Sequence, residues 1–158
     1  MSIEQENQIA GSSVLVVDDN RQNLELLVAY LEDLDCEIVT AENGIKAMEM
    51  VKQSPPDLIL LDVMMPQISG FEVCRRLKGD PNTTGIPIIM VTALSEFGDI
   101  ERAIDSGTDD FLSKPVNKWE LITRVKTMLK LKHLTDKLER TLAYLGEIES
   151  QTQLKNSN

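Results

Sequence analysis

The stretch Asp57-Leu58-Ile59-Leu60-Leu61-Asp62 constrains the fold of this chain more than any other. Four apolar residues stand between two carboxylates with no polar interruption, which fits a short strand buried on both faces of a parallel sheet. Such a strand needs a layer above and a layer below, and it delivers Asp62 at its carboxyl end. In an open α/β sheet that edge is where ligands and chemistry are found. Taken alone, an aspartate there is more often a loop residue or a helix cap, so the rest of the chain has to decide.

The flanking sequence supplies the remaining parts of such a sheet. Residues 1–12 are polar without a period and read as a flexible N-terminal segment. Val14–Val17 is a second apolar run and leads into Asp18-Asp19-Asn20, after which Leu24, Leu27, Val28 and Leu31 recur at helical spacing. Glu37–Thr40 is short and more polar, as suits an edge strand. Asn43 can then cap a helix that turns Ala47, Met48 and Val51 inward. Pro55-Pro56 stops that helix, and Ser69-Gly70-Phe71-Glu72 fits a capping box opening the next one. Ile88–Val91 is another apolar run and ends at Thr92. A helix with Ile100, Ala103 and Ile104 on one face follows, stopped by Gly107, before Phe111-Leu112 forms a brief strand ahead of Lys114-Pro115. Strand and helix alternate five times, and right-handed crossovers make this a parallel sheet with helices on both faces.

Charge is uneven along the chain. Residues 1–117 hold 8 Lys/Arg against 21 Asp/Glu, so this body repels nucleic acid, whereas residues 118–140 hold 7 against 3 and read as one basic helix. No signal peptide or long apolar segment is present, which with only two distant cysteines reads as a reduced cytoplasmic protein away from membranes. Cys74 lies on the apolar side of a helix, Cys36 reads as a loop residue, and the lone His133 reads as a solvated side chain among lysines.

Asp18, Asp19, Asp62, Thr92 and Lys114 all fall at or just past strand ends, so four strands aim polar residues into one crevice. Each has a bland explanation as cap, turn or surface residue; together they form a set. Three carboxylates in one pocket repel one another by about 1–4 kcal/mol per pair at 4 Å. Mg²⁺ suits such an incomplete set of hard oxygen ligands, because it keeps waters and accepts phosphate oxygens. An aspartate can attack phosphorus to give an acyl phosphate, with a cation, an ammonium and a hydroxyl balancing the transferring oxygens.

On the pieces VLVVDDN (14–20), LILLDVMMPQISG (58–70), VTA (91–93) and FLSKP (111–115), the sequence closely resembles the receiver domain of two-component response regulators. The resemblance implies a flavodoxin-like doubly wound fold with strand order 2-1-3-4-5, Asp62 as phosphoacceptor, and Mg²⁺ as cofactor. Asp19 and Asp62 would ligate the ion directly, Asp18 through a water, and Met64 through its backbone carbonyl. Thr92 and Lys114 would contact the phosphoryl group. Phe111 would be the aromatic partner of Thr92 in the switch, although its residue type fits an ordinary core phenylalanine equally well. The peptide before Pro115 would be cis. Implied partners are a sensor histidine kinase or phosphotransfer protein and a downstream protein or output domain. Met64 and Leu94, each two residues past a site residue, are apolar and would shield the acyl phosphate from water.

Two rival functions share parts of this design. A phosphoaspartate phosphatase would also place aspartate and Mg²⁺ at a strand end, but its acid/base carboxylate two residues on is here Met64. A flavin-binding electron carrier would share the fold. However, aromatics make up only 4% of the chain, and no Ser/Thr-rich phosphate loop follows Val17.

The helical pattern continues past the body expected at residues 13–130. Asn117 can cap a helix whose inner stripe is Leu121, Ile122, Val125, Met128 and Leu129. Leu131, Leu134, Leu138, Leu142, Leu145 and Ile148 then carry a helical extension over 131–150, with 151–158 expected as a disordered tail. Gly146 and Thr141 interrupt the pattern. The extension is read as a parallel helical homodimer or a signalling linker.

Overall fold

The computed structural model describes residues 9–93 and 97–156. Its strands are β1 (Ser12–Val17), β2 (Cys36–Ala41), β3 (Leu58–Leu61), β4 (Ile88–Thr92) and β5 (Asp110–Ser113). The intervening helices are α1 (Arg21–Leu31), α2 (Gly44–Gln53), α3 (Gly70–Gly79), α4 (Phe97–Asp105) and α5 (Lys118–Asn156). The sheet is parallel throughout, in the order β2-β1-β3-β4-β5. This is the flavodoxin-like doubly wound α/β arrangement.

Side chains alternate across a strand with a period of two, and this divides the apolar residues between two cores. Leu15, Val17, Ile59, Leu61, Ile88 and Met90 point to the side covered by α2, α3 and α4, where Ala47, Val51, Phe71, Cys74 and Ala103 meet them. Val14, Val16, Leu58, Leu60, Ile89 and Val91 point to the side covered by α1 and α5, against Leu24, Leu27, Leu31, Leu121, Val125 and Leu129. All four residues of β3 are buried, each worth roughly 1.5–3 kcal/mol of apolar burial. Polar caps start the helices as the sequence indicates. Asn20, Asn43 and Asn117 accept backbone N–H groups of the first turns of α1, α2 and α5, and Ser69 accepts that of Glu72 in α3.

The structure departs from the sequence reading in five places. Ordered packing begins before residue 13, because Ile9 is buried and Gly11 N–H bonds to the Asp35 carbonyl at 2.9 Å, with Ser12 already in β1. Cys36 opens β2 rather than lying in a loop, since pairing with Ser12 recruits it into the sheet. Ile104 is exposed, and only Ala103 of the expected trio is fully buried, because the small α4 contact face cannot cover adjacent residues about 100° apart. His133 is half-buried and bonded to Ser12, 2.7 Å from Nε2 to Oγ, because α5 passes the start of β1. Finally, α5 continues through Gly146 to Asn156, past the boundary expected at 150, because no proline or left-handed glycine stops it. Residues 157–158, Leu94 and residues 1–8 lie outside the described residues.

Among the described residues, no helix is long and apolar enough to cross a membrane.

Candidate functional site

β1, β2 and β3 end level with one another, and β4 and β5 run two residues further at the same edge. Val17 stands opposite Ala41 and Leu61, Leu61 opposite Met90, and Thr92 opposite Ser113. Backbone bonds carry this ladder one residue beyond the strands. Asp18 N–H donates to Ala41 O at 3.2 Å, Asp62 N–H to Val17 O at 2.9 Å, and Lys114 N–H to Thr92 O at 3.0 Å. The sheet itself therefore sets Asp18, Asp62, Thr92 and Lys114 along one edge.

Carboxylate oxygens of Asp18, Asp19 and Asp62 all lie within 4.8 Å of one another. Asp18 is 1% exposed and Asp62 5%, while Asp19 is open to solvent. Lys114 reaches across from the end of β5, with Nζ 3.0 Å from Asp18 Oδ2 and 3.4 Å from Asp62 Oδ1. Burial pushes the Asp62 carboxyl up to about 6, with the charges of Asp18 and Asp19 adding to it and Lys114 opposing. Burial works against the Lys114 ammonium as well, but the bond to Asp18 and the charges of Asp62 and Asp18 outweigh it and raise its pKa. Three carboxylates facing one ammonium leave a net negative pocket of oxygen donors, which fits a hard divalent cation.

Thr92 is buried at the end of β4, at this edge. Phe111 is half-buried against the α2–α4 core, and its N–H donates to Asp110 Oδ1 at 2.8 Å. The Lys114-Pro115 peptide is cis. Met64 is 75% exposed, in the loop directly after Asp62.

Two contributors lie outside the set of residues expected at the site. Gly70 is more than a helix start: a Cβ there would collide with the Asp62 carbonyl oxygen and stand 2.8 Å from Val63 Cα. Its N–H also donates to Val63 O at 2.9 Å, so α3 begins against the backbone that carries Asp62. Arg124 of α5 donates from Nη1 to both oxygens of Asp110, at 2.9 and 2.7 Å, tying the helix to β5 one residue before Phe111. The Ser-Gly pair hinted at the first. Nothing local to the sequence signals the second, because its partners are 14 residues apart in different elements.

A family model described as "Response regulator receiver domain" matches residues 14–126. The chain belongs to this family. It is 44% identical over 130 residues to the response regulator PleD of Caulobacter vibrioides, covering 82% of this chain and 29% of PleD. It is 37% identical to the polar-differentiation response regulator DivK of Brucella anthropi, covering 74% of this chain and 95% of DivK. The receiver domain of the sensor histidine kinase PA1611 from Pseudomonas aeruginosa, solved with a magnesium ion coordinated in its active-site cleft, superposes with a TM-score of 0.70. That pair is 30% identical, over 76% of this chain and 98% of the other. The chain spans less than half the length of the first relatives it matches.

Proposed function

We propose that this receiver takes a phosphoryl group onto Asp62 from the phosphohistidine of a sensor kinase or phosphotransfer protein, and that the change controls a downstream protein or output domain. The observation that carries this reading is the convergence of Asp18, Asp19 and Asp62 on one pocket with Lys114 beside them. An Asp62 carboxylate oxygen attacks phosphorus as the bond to the donor nitrogen breaks, and the electron pair returns to the imidazole. Asp18, Asp19, Asp62 and the backbone carbonyl of Met64 would hold Mg²⁺, which supplies positive charge to the phosphoryl oxygens. Lys114 gives up part of its contact with Asp62 and pairs with a phosphoryl oxygen, while the Thr92 hydroxyl donates to another. Phe111 follows Thr92 inward, and the β5 surface changes with it.

The chain thus acts as a stoichiometric switch rather than a turnover enzyme, working in the cytoplasm. Its acidic body disfavours direct contact with nucleic acid. The phosphatase reading is disfavoured because Met64 is apolar and exposed where a second acid/base carboxylate would stand. Incubation with acetyl phosphate and Mg²⁺, followed by intact-mass measurement, tests the assignment. One added phosphate is expected, absent in Asp62→Asn. Undiminished labelling of that variant, or steady release of inorganic phosphate without a labelled protein, overturns it.

The same reading includes self-association through α5, whose last turns are exposed to solvent. Sedimentation equilibrium of the full chain against a version ending at Leu131, with and without beryllofluoride as acyl-phosphate mimic, checks this. Monomers throughout would remove α5 as a dimerisation element.

A further inference from the structure

The 39 residues of α5 form one continuous helix, and its two halves present apolar residues on different sides. Leu121, Ile122, Val125 and Leu129 are buried against the sheet. Leu131, Leu134, Leu138, Leu142, Leu145 and Ile148 are between 41% and 58% exposed. At 3.6 residues per turn the second set is centred about 180° around the helix from the first. Folding of the body therefore cannot cover it, and bending the helix back would not turn it toward the sheet. The stripe faces away from the molecule over about 26 Å.

We propose that this stripe pairs with the same stripe of a second copy in antiparallel orientation, placing the two receivers at opposite ends of the helical pair. The inference rests on the self-association reading above and reverses the parallel arrangement expected from the spacing alone. The stripe can meet its copy in register either way, and charge decides the orientation.

The apolar stretch stops where the helix reaches the body. Traced back toward the body, the outward face becomes Thr127, Arg124 and Glu120, all polar, with Arg124 held by Asp110 at 2.7 Å and Glu120 at 3.5 Å. Arg124, balanced in this way, tolerates a like charge opposite it in either orientation, a second Arg124 in a parallel pair or Lys155 in an antiparallel one. Reversed, the apolar stretch maps onto itself: Leu131 meets Ile148 of the second copy, Leu134 meets Leu145, and Leu138 meets Thr141 and Leu142. Thr127 then lies against Thr152. Lys155 falls opposite Arg124, whose charge Asp110 and Glu120 already balance.

Charge separates the two orientations. Residues 118–140 carry 7 Lys/Arg against 3 Asp/Glu, and residues 141–158 carry 1 against 2. Packed helices have axes about 8–10 Å apart, comparable with the screening length of about 8 Å at physiological salt. A parallel pair therefore sets basic half against basic half. The antiparallel pair sets each basic half against the weakly acidic one, with Glu149, on the edge of the stripe, near the turn that carries Lys130. It also separates two strongly acidic bodies.

Single-cysteine additions to the full chain test this. Leu131→Cys and Ile148→Cys sit on exposed positions of the outer face, so the body should fold as before, checked by unchanged labelling at Asp62. After mixing the two variants under mild oxidation, the expected product is the mixed disulfide at several-fold excess over either homodisulfide. Sedimentation of the unmodified chain is run alongside. A dimer whose variants each cross-link to themselves overturns the antiparallel orientation and leaves self-association standing. A monomer at all concentrations overturns both, and a dimer that cross-links in neither way overturns the stripe as its interface. Glu149→Lys, which sets a lysine opposite Lys130 only in the antiparallel pair, should weaken the dimer at least about threefold at low salt. No change there counts against the charge argument.

Discussion

Lys114 and Asp62 face each other across the end of the sheet with 3.4 Å between Nζ and Oδ1, and the same ammonium stands 3.0 Å from Asp18 Oδ2. Lys114 thus holds carboxylate oxygens that a divalent ion would use, and it would compete with such an ion for them. Replacing it with an uncharged side chain removes that competition. Lys114→Met is expected to bind Mg²⁺ more tightly, by about three- to tenfold for a partly exposed charge of this kind, while losing most of its response to phosphorylation. Isothermal titration with Mg²⁺ measures the first effect; affinity equal to or weaker than that of the parent would contradict it.

Asp62 gives the pH dependence. Burial first, and Asp18 next, raise its carboxyl from 3.8 to about 6, against the pull of Lys114. The folded chain then holds this proton more tightly than the unfolded chain does. The stabilising contribution is complete below pH 3.8 and is lost as pH rises through about 6. Asp62→Asn carries no such charge. Without divalent ions it should be more stable than the parent above pH 6, by about 1–3 kcal/mol, with the gap closing toward pH 4. Adding Mg²⁺ should raise the melting temperature of the parent more than that of the variant. Equal melting temperatures at pH 7.5 in chelator would show that Asp62 is not strained by its surroundings.

Gly70 supports Asp62 from below. Any Cβ at this position drives into the Asp62 carbonyl and the Val63 Cα, and both are backbone atoms that cannot rotate away. Gly70→Ala should cost roughly 1–3 kcal/mol and slow labelling by acetyl phosphate about tenfold or more, because the reacting carboxylate shifts with its backbone. Thermal denaturation and labelling rate are read together. A variant with normal stability and normal rate would mean that the β3–α3 loop yields freely.

Met64 bears on how long the phosphorylated state lasts. Its exposed thioether stands two residues past Asp62 and offers no group to position an attacking water. Loss of phosphate should be slow for a receiver, and Met64→Asn together with Leu94→Glu should speed it about tenfold. Decay of the mass-labelled protein in excess chelator-free buffer follows this directly. Fast decay in the parent that the double variant leaves unchanged would end the shielding explanation.

Much of this molecule was fixed locally. Uninterrupted apolar runs of four residues specify strands buried on both faces, helical spacing at Leu24, Leu27 and Leu31 gives a covering face, and Asn20, Asn43 and Asn117 mark where helices begin. The strand ends carrying Asp18, Asp62, Thr92 and Lys114 followed from those runs, because a parallel sheet brings its carboxyl ends to one edge. What the sequence left open depends on partners distant along the chain. Ile9 and Ser12 read as a loose lead-in until β2 and His133 come alongside, 121 residues away in the latter case. Cys36 reads as a loop residue until Ser12 pairs with it, and Ile104 reads as core until the small contact face of α4 leaves it outside. Which of the two apolar stripes of α5 is covered is also a tertiary fact. Spacing alone shows that both are helical, but only the packed sheet shows that one is covered and the other turned away. Local pattern fixes which residues want burial; the limited area of each neighbouring surface decides which of them obtain it.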